Sequence, residues 1–204
     1  MHISWLGNTG IKLVVKPFDQ DVTVLIDAYK HAQGAVPRSL TTDIALYTRG
    51  LDEAITISGD PFVLSGAGEC ETKDVLIAST EGHEEGEFVL RIDAERMSIG
   101  HLGLIKKQPS AAIIGMLSGV DILFIPVGGK DSISAETAAK IVSAIEPRIV
   151  IPMASKSDND PEAADVNDFV KQLGIASEVS EKKVIIKHST LPQDEMKVIV
   201  LTKE

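Results

Sequence analysis

Residues 119–155, GVDILFIPVGGKDSISAETAAKIVSAIEPRIVIPMAS, constrain the fold more than any other stretch of the chain. Asp121 to Val127 is apolar at nearly every position and is stopped by Gly128-Gly129. A strand apolar on both faces belongs inside a covered sheet, not on its surface. Ser134 is placed to accept a bond from a free amide, so the pattern predicts a helix from this N-cap through Ile145. Ala138, Ile141, Val142 and Ile145 recur at the three- and four-residue spacing of one buried face. Pro147 ends the helix, and Arg148 to Met153 is a second all-apolar strand. The whole reads as a β-α-β crossover with parallel strands and helices on at least one sheet face. In such sheets function gathers beyond the carboxyl ends of the strands, here at Val127-Gly128-Gly129 and Met153-Ala154-Ser155.

The first quarter is rich in strand patterns. His2 to Leu6, Ile11 to Lys16 and Val22 to Ile26 are separated by Gly7-Asn8-Thr9-Gly10 and by Pro17 to Asp21, both made of turn residues. A polar stretch with Gly34 and Pro37 reads as a surface loop. Asp43 to Thr48 is a buried-type strand, and Leu51, Ala54 and Ile55 form a helical face within Arg49 to Ser58. Phe62 to Leu64 leads into a tight turn at Gly66-Ala67-Gly68. Asp74 to Ser79 and Glu87 to Ile92 form a hairpin around an acidic tip, and Met97 to Leu102 is a further strand. Ser110 to Leu117 carries a short helix. Beyond the crossover, Asp158-Asn159-Asp160-Pro161 precedes a helix over 162–173, and two strands follow, Lys183 to Lys187 and Lys197 to Leu201. No low-complexity linker divides the chain, so residues 1–204 are expected to form one domain. Meander-like strands followed by helix, twice over, point to two packed sheets with helices outside.

Charge and cysteine usage exclude several partners. The formal net charge is −10 and basic residues cluster only as pairs, Lys106-Lys107 and Lys182-Lys183. A nucleic-acid or anionic-membrane surface needs a basic stripe, which is absent. The lone Cys70 forbids an internal disulfide and fits a reducing, cytoplasmic setting. The opening MHISWLGNTG has neither the basic flank nor the apolar run of a signal or membrane span.

No catalytic motif stands out by spacing. His2, His31, His83, His101 and His188 are scattered, and none forms a pair that would focus on a metal. Cys70 has no neighbouring histidine. Gly66-Ala67-Gly68 lacks the Lys-Ser or Lys-Thr pair of a phosphate loop.

Taken in order, however, the strand ends resemble the metallo-β-lactamase-fold hydrolases, and within them the lactonase-like, Zn-dependent branch. Ile3-Ser4-Trp5-Leu6-Gly7 resembles the opening strand of that group. Leu25-Ile26-Asp27 is similar to its "IDP" strand, with Ala28 for the proline, and Asp43 to Thr48 to the strand that leads into the metal motif. Gly66-Ala67-Gly68-Glu69-Cys70-Glu71, Gly100-His101-Leu102-Gly103, Val127-Gly128-Gly129 and Ile149 to Met153 follow in family order. The resemblance covers roughly residues 1–169 and implies a four-layer αββα sandwich.

The departures fall on the chemistry. Where the family has a His-x-His-x-Asp-His run, this chain carries Arg49, Leu51, Glu53 and Ala54. Leu104 stands for the aspartate after His101-Leu102-Gly103, and Ala154 for the last histidine. Only Asp27, Glu69, His83 and His101 remain as remnants of a site. Activating water at neutral pH needs a metal that brings its pKa from 15.7 to about 7. Guanidinium cannot coordinate, and Leu and Ala offer no donor. The resemblance therefore implies no metal and no catalytic residue, in a binding or assembly protein for an unknown small molecule or protein. Open strand edges near the C-terminus suggest a homo-oligomer. The alternative is a lactonase- or phosphoesterase-like hydrolase using Zn at a non-standard site, or His101 with nearby acids. Without a metal, Arg49 is expected in the former cleft, salt-bridged to Asp27, Glu53 or Glu69.

Overall fold

Two stacked sheets are built from fourteen strands and flanked on one side by three α-helices among the described residues. The computed structural model describes residues 1–31, 33, 40–180 and 182–204. The polar stretch with Gly34 and Pro37 lies outside them. In chain order the elements are β1 (His2–Gly7), β2 (Gly10–Val15), β3 (Val22–Ile26), β4 (Ile44–Leu46), β5 (Phe62–Leu64), β6 (Gly68–Thr72) and β7 (Val75–Glu81). Then come β8 (Phe88–Ala94), β9 (Met97–His101), α1 (Ala111–Leu117), β10 (Ile122–Pro126), α2 (Ala135–Ile145) and β11 (Ile149–Met153). The last are α3 (Val166–Leu173), β12 (Ser177–Ser180), β13 (Lys183–Ile185), a 3-10 turn (His188–Thr190) and β14 (Lys197–Leu201).

The first sheet runs β13-β1-β2-β3-β4-β5 and the second β12-β14-β11-β10-β9-β8-β7-β6. The expected crossover is present, with β10 and β11 parallel from Ile122↔Ile149 to Pro126↔Met153. Ser134 caps α2 through its side chain and the amide of Thr137, and Glu146 ends it in the left-handed region ahead of Pro147.

Period-two alternation explains why β10 is apolar throughout. Ile122 and Phe124 face the space between the sheets, where Ile3, Ile11, Leu13, Ile44, Ile92 and Ile151 are also buried. Leu123 and Ile125 face the helices, against Leu117, Ile141, Ile145 and Phe169. Each such side chain contributes about 1.5–3 kcal/mol on leaving water, so these two cores dominate the stability. The outer face of the first sheet, Leu6, Leu25, Ala45 and Tyr47, is covered by Ala28, Tyr29, Leu40 and Ile55 in irregular chain. Among the described residues the outermost layer on this side is therefore coil, where the expected αββα sandwich has helix.

Several local expectations are corrected. Arg49 to Ser58 forms turns, not a helix: Lys30 N–H donates to Glu53 O at 2.7 Å and Ile55 N–H to Ala28 O at 2.9 Å, which commits this backbone to residues 28–30. Glu69 and Glu71, which follow the glycine turn, lie in β6 at the edge of the second sheet. The helix expected over 162–173 starts only at Val166, capped by Asp165, because the Ala164 amide is held by Gly128 O at 2.8 Å. β14 is no open edge but lies between β11 and β12, so only β13 of the two C-terminal strands is at a margin. No helix among the described residues is long and apolar enough to cross a membrane.

Candidate functional site

Most buried polar side chains are not in the cores. Thr9, Asp27, Thr48, His101 and Ser155 gather where β1, β3, β4, β9 and β11 end. Both sheets present carboxyl ends here, and the loops beyond them meet.

Asp27 follows β3 at φ +53°, a left-handed conformation that an aspartate tolerates better than most residues. It is 1% exposed. Its Oδ1 accepts the Thr48 amide at 2.7 Å and its Oδ2 the Thr48 hydroxyl at 2.6 Å. Both oxygens are thus spent on fastening the end of β3 to the end of β4. His101 is fully buried. Its Nε2 donates to Thr9 O at 3.0 Å and its Nδ1 accepts the Gly103 amide at 3.2 Å. Burial holds the imidazole below its ordinary pKa, with Asp27 and the bond to Thr9 opposing, so the ring is kept neutral. It joins the second sheet to the first and has no nitrogen left for a metal or substrate.

Close backbone approach completes the junction. A Cβ on Gly128 would stand 2.0 Å from Ala154 O, and one on Gly103 would stand 2.9 Å from Thr48 Oγ1. The Ala154 amide in turn donates to Asn8 O at 2.9 Å.

Arg49 lies in front of this junction, and its guanidinium stacks over the Tyr29 ring with 4.5 Å to the centroid. The Tyr29 hydroxyl accepts the Arg49 amide at 2.8 Å and donates to Gly50 O at 3.0 Å. Burial, followed by the charge of Asp27, pushes that hydroxyl well above its ordinary pKa, so it stays protonated and the bond to Gly50 is kept. One guanidinium nitrogen reaches Thr9 Oγ1 at 3.5 Å, while Nε is buried with no hydrogen-bond partner. The expected salt bridge is not made: among the described residues Arg49 forms no ion pair. Asp27 is turned to Thr48 through both oxygens, Glu53 is exposed, and Glu69 lies in the edge strand β6.

A cleft of about 380 Å³ opens at this place. Lys30, His31 and Arg49 bring basic groups to it, Asp52, Glu53, Asp131 and Asp160 bring carboxylates, and Asn8 and Asn159 bring amides. His31 is held below its ordinary pKa, first by burial and then by Lys203 and Arg49. Of the residues singled out from sequence, Arg49 and Glu53 line the cleft. Leu104 and Ala154 line a narrow cavity beside it. Ala54 pairs with Tyr29, whereas Leu51 is 54% exposed and His83 is exposed at the acidic hairpin tip. Tyr29, Lys30, Asp131, Asn159 and Asp160 escaped sequence reasoning. Each follows a strand end by a few residues, which is the signal that would have found them.

The donor set does not fit a metal. Leu51, Ala54, Leu104 and Ala154 carry no ligand atom, the Arg49 guanidinium has no acceptor, both His101 nitrogens are engaged by Thr9 and Gly103, and Asp27 holds Thr48 through both oxygens. Among the described residues no three His, Cys, Asp or Glu side chains converge as a metal group would require.

Comparison with known proteins agrees with the fold. The family described as a beta-lactamase superfamily domain matches residues 2–154, well over half of the chain. A UPF0173 metal-dependent hydrolase of Methanopyrus kandleri is 25% identical over 88% of this chain and 95% of its own. A UPF0173 protein of Pyrococcus furiosus is 39% identical over 37% of this chain, a match that spans only 33% of that relative. A crystal structure from Thermotoga maritima, described as a Zn-dependent hydrolase of the metallo-β-lactamase superfamily, superposes with a TM-score of 0.83. It covers 99% of this chain and 100% of its own at 21% identity.

Proposed function

The chain belongs to the beta-lactamase superfamily, and from that premise we propose that it is a metal-free, non-hydrolytic member whose cleft binds a small molecule. One observation carries the reading. Where the family places metal ligands, this chain has Arg49, Leu51, Ala54, Leu104 and Ala154, and the remaining Asp27 and His101 are used to fasten strand ends together. Without a metal to acidify water, the geometry retains a shaped, charged cleft and no means of making hydroxide at neutral pH. The reading takes residues 1–204 as one domain working in the cytoplasm, in keeping with the single Cys70, whose thiol burial pushes up.

The second reading is a metal-dependent hydrolase, and it draws on the names of the Methanopyrus and Thermotoga relatives. Metal analysis of the purified protein after dialysis against a chelator separates the two. The proposal expects Zn, Mn and Fe well below one equivalent. It also expects no turnover of lactones or phosphodiesters when those metals are added back. Stoichiometric metal that survives dialysis would overturn it.

A further inference from the structure

We infer that the cleft recognises a compact zwitterion, a molecule with one carboxylate and one ammonium group such as a free amino acid or a dipeptide. This rests on the reading of the cleft as a metal-free binding site. Opposite charges line one opening of about 380 Å³, yet among the described residues none of them pairs with another. Arg49 and Lys30 come from loops of the first sheet, whereas Asp131 and Asp160 come from the loops after β10 and β11 of the second. Charges that share a cleft without meeting leave a gap for a ligand to bridge.

Arg49 is the anchor. Its plane is fixed over Tyr29, its Nε is enclosed, and Thr9 takes only a long bond from one terminal nitrogen. A guanidinium held in this way offers its fork to a carboxylate, which it can engage through two parallel bonds. The carboxylates then select against other anions. Asp52, Glu53, Asp131 and Asp160 outnumber Lys30 and Arg49, so a phosphate with two negative charges meets net repulsion, while an ammonium group is drawn to the acidic wall. The opening is at the small end of ligand pockets, which run from about 300 to 1,000 Å³, and this favours a ligand of one or two residues.

The test is isothermal titration of the intact chain at about pH 7 with the twenty common free amino acids and alanyl-alanine. N-acetylalanine, alaninamide and inorganic phosphate serve as comparison probes. At least one zwitterion is expected to bind with a Kd near or below about 1 mM, and its N-acetyl and amide forms about tenfold or more weaker. Arg49→Met and the exposed Asp131→Asn should each weaken it by about tenfold or more, the second without any change in melting temperature. No zwitterion binding, blocked forms binding as tightly as the parent, or phosphate binding best would each overturn the inference. Metal content is measured on the same preparation. Retained metal overturns the metal-free reading itself, whereas a metal-free protein that ignores every zwitterion overturns only this inference.

Discussion

Asp27→Ala tests whether the retained acid of the site is a fastener. The substitution strips the Thr48 amide and hydroxyl of their acceptors at 2.7 and 2.6 Å, in a place where both residues are 1% exposed. Each buried donor left without a partner costs about 1–3 kcal/mol. Alanine at φ +53° adds about 1–2 kcal/mol of backbone strain that aspartate largely escapes. Removing a buried charge returns part of this, because its desolvation is no longer required. The net loss expected is about 3–5 kcal/mol, a large share of the roughly 5–15 kcal/mol available to a domain. Asp27→Asn keeps the left-handed conformation and one acceptor, so it should lose only about 1–2 kcal/mol. Urea unfolding followed by Trp5 fluorescence reads this directly. Trp5 is the only tryptophan, is 5% exposed, and bonds Asn8 O at the same end of the sheet. An Asp27→Ala variant within about 1 kcal/mol of the parent, at an unchanged denaturant slope, would refute the fastener.

Two further outcomes follow from the same junction. Burial keeps His101 neutral in the fold, while the unfolded chain takes up a proton below the ordinary histidine pKa of about 6.5. Stability from this source is intact above about pH 6.5 and falls as the pH drops below it, by at most about 1.4 kcal/mol per pH unit. His101→Gln should flatten that part of the slope between about pH 6.5 and 5, as read from urea unfolding at several pH values. Gly128→Ala would place a methyl group 2.0 Å from Ala154 O, and overpacking of this kind costs about 1–3 kcal/mol or more. Its melting temperature should drop by about 4–10 °C, whereas Gly66→Ala, with open space around it, should leave it unchanged.

The fold is legible wherever one sequence signal has one structural answer. The 119–155 stretch carries two apolar runs, a capping serine and a terminating proline, and these leave room only for β10, α2 and β11. Legibility fails where distant backbone decides. Leu51, Ala54 and Ile55 have helical spacing, but the bonds from Lys30 to Glu53 and from Ile55 to Ala28 override it. β6 and β12 are polar strands at sheet margins, so no apolar alternation announces them. The loss of ligand atoms at Leu51, Ala54, Leu104 and Ala154 needs no structure to be seen. What Arg49 does instead needs one, because its expected partner Asp27 is turned to a threonine 21 positions away in sequence, and an aromatic face takes its place.

The position of β14 imposes an order of events on the growing chain. The meander β6 to β9 closes through neighbours in sequence, and the crossover to β11 needs only one helix more. β11 and β12, by contrast, are joined only through residues 197–201, which arrive after both have been made. Until then each exposes a row of free amides and carbonyls to any other strand nearby. At roughly 5–20 residues per second of synthesis, that exposure lasts seconds on the ribosome. The β11-β14-β12 end of the second sheet is therefore the last part of that sheet to gain its native pairing, and during those seconds it is open to pairing with another chain.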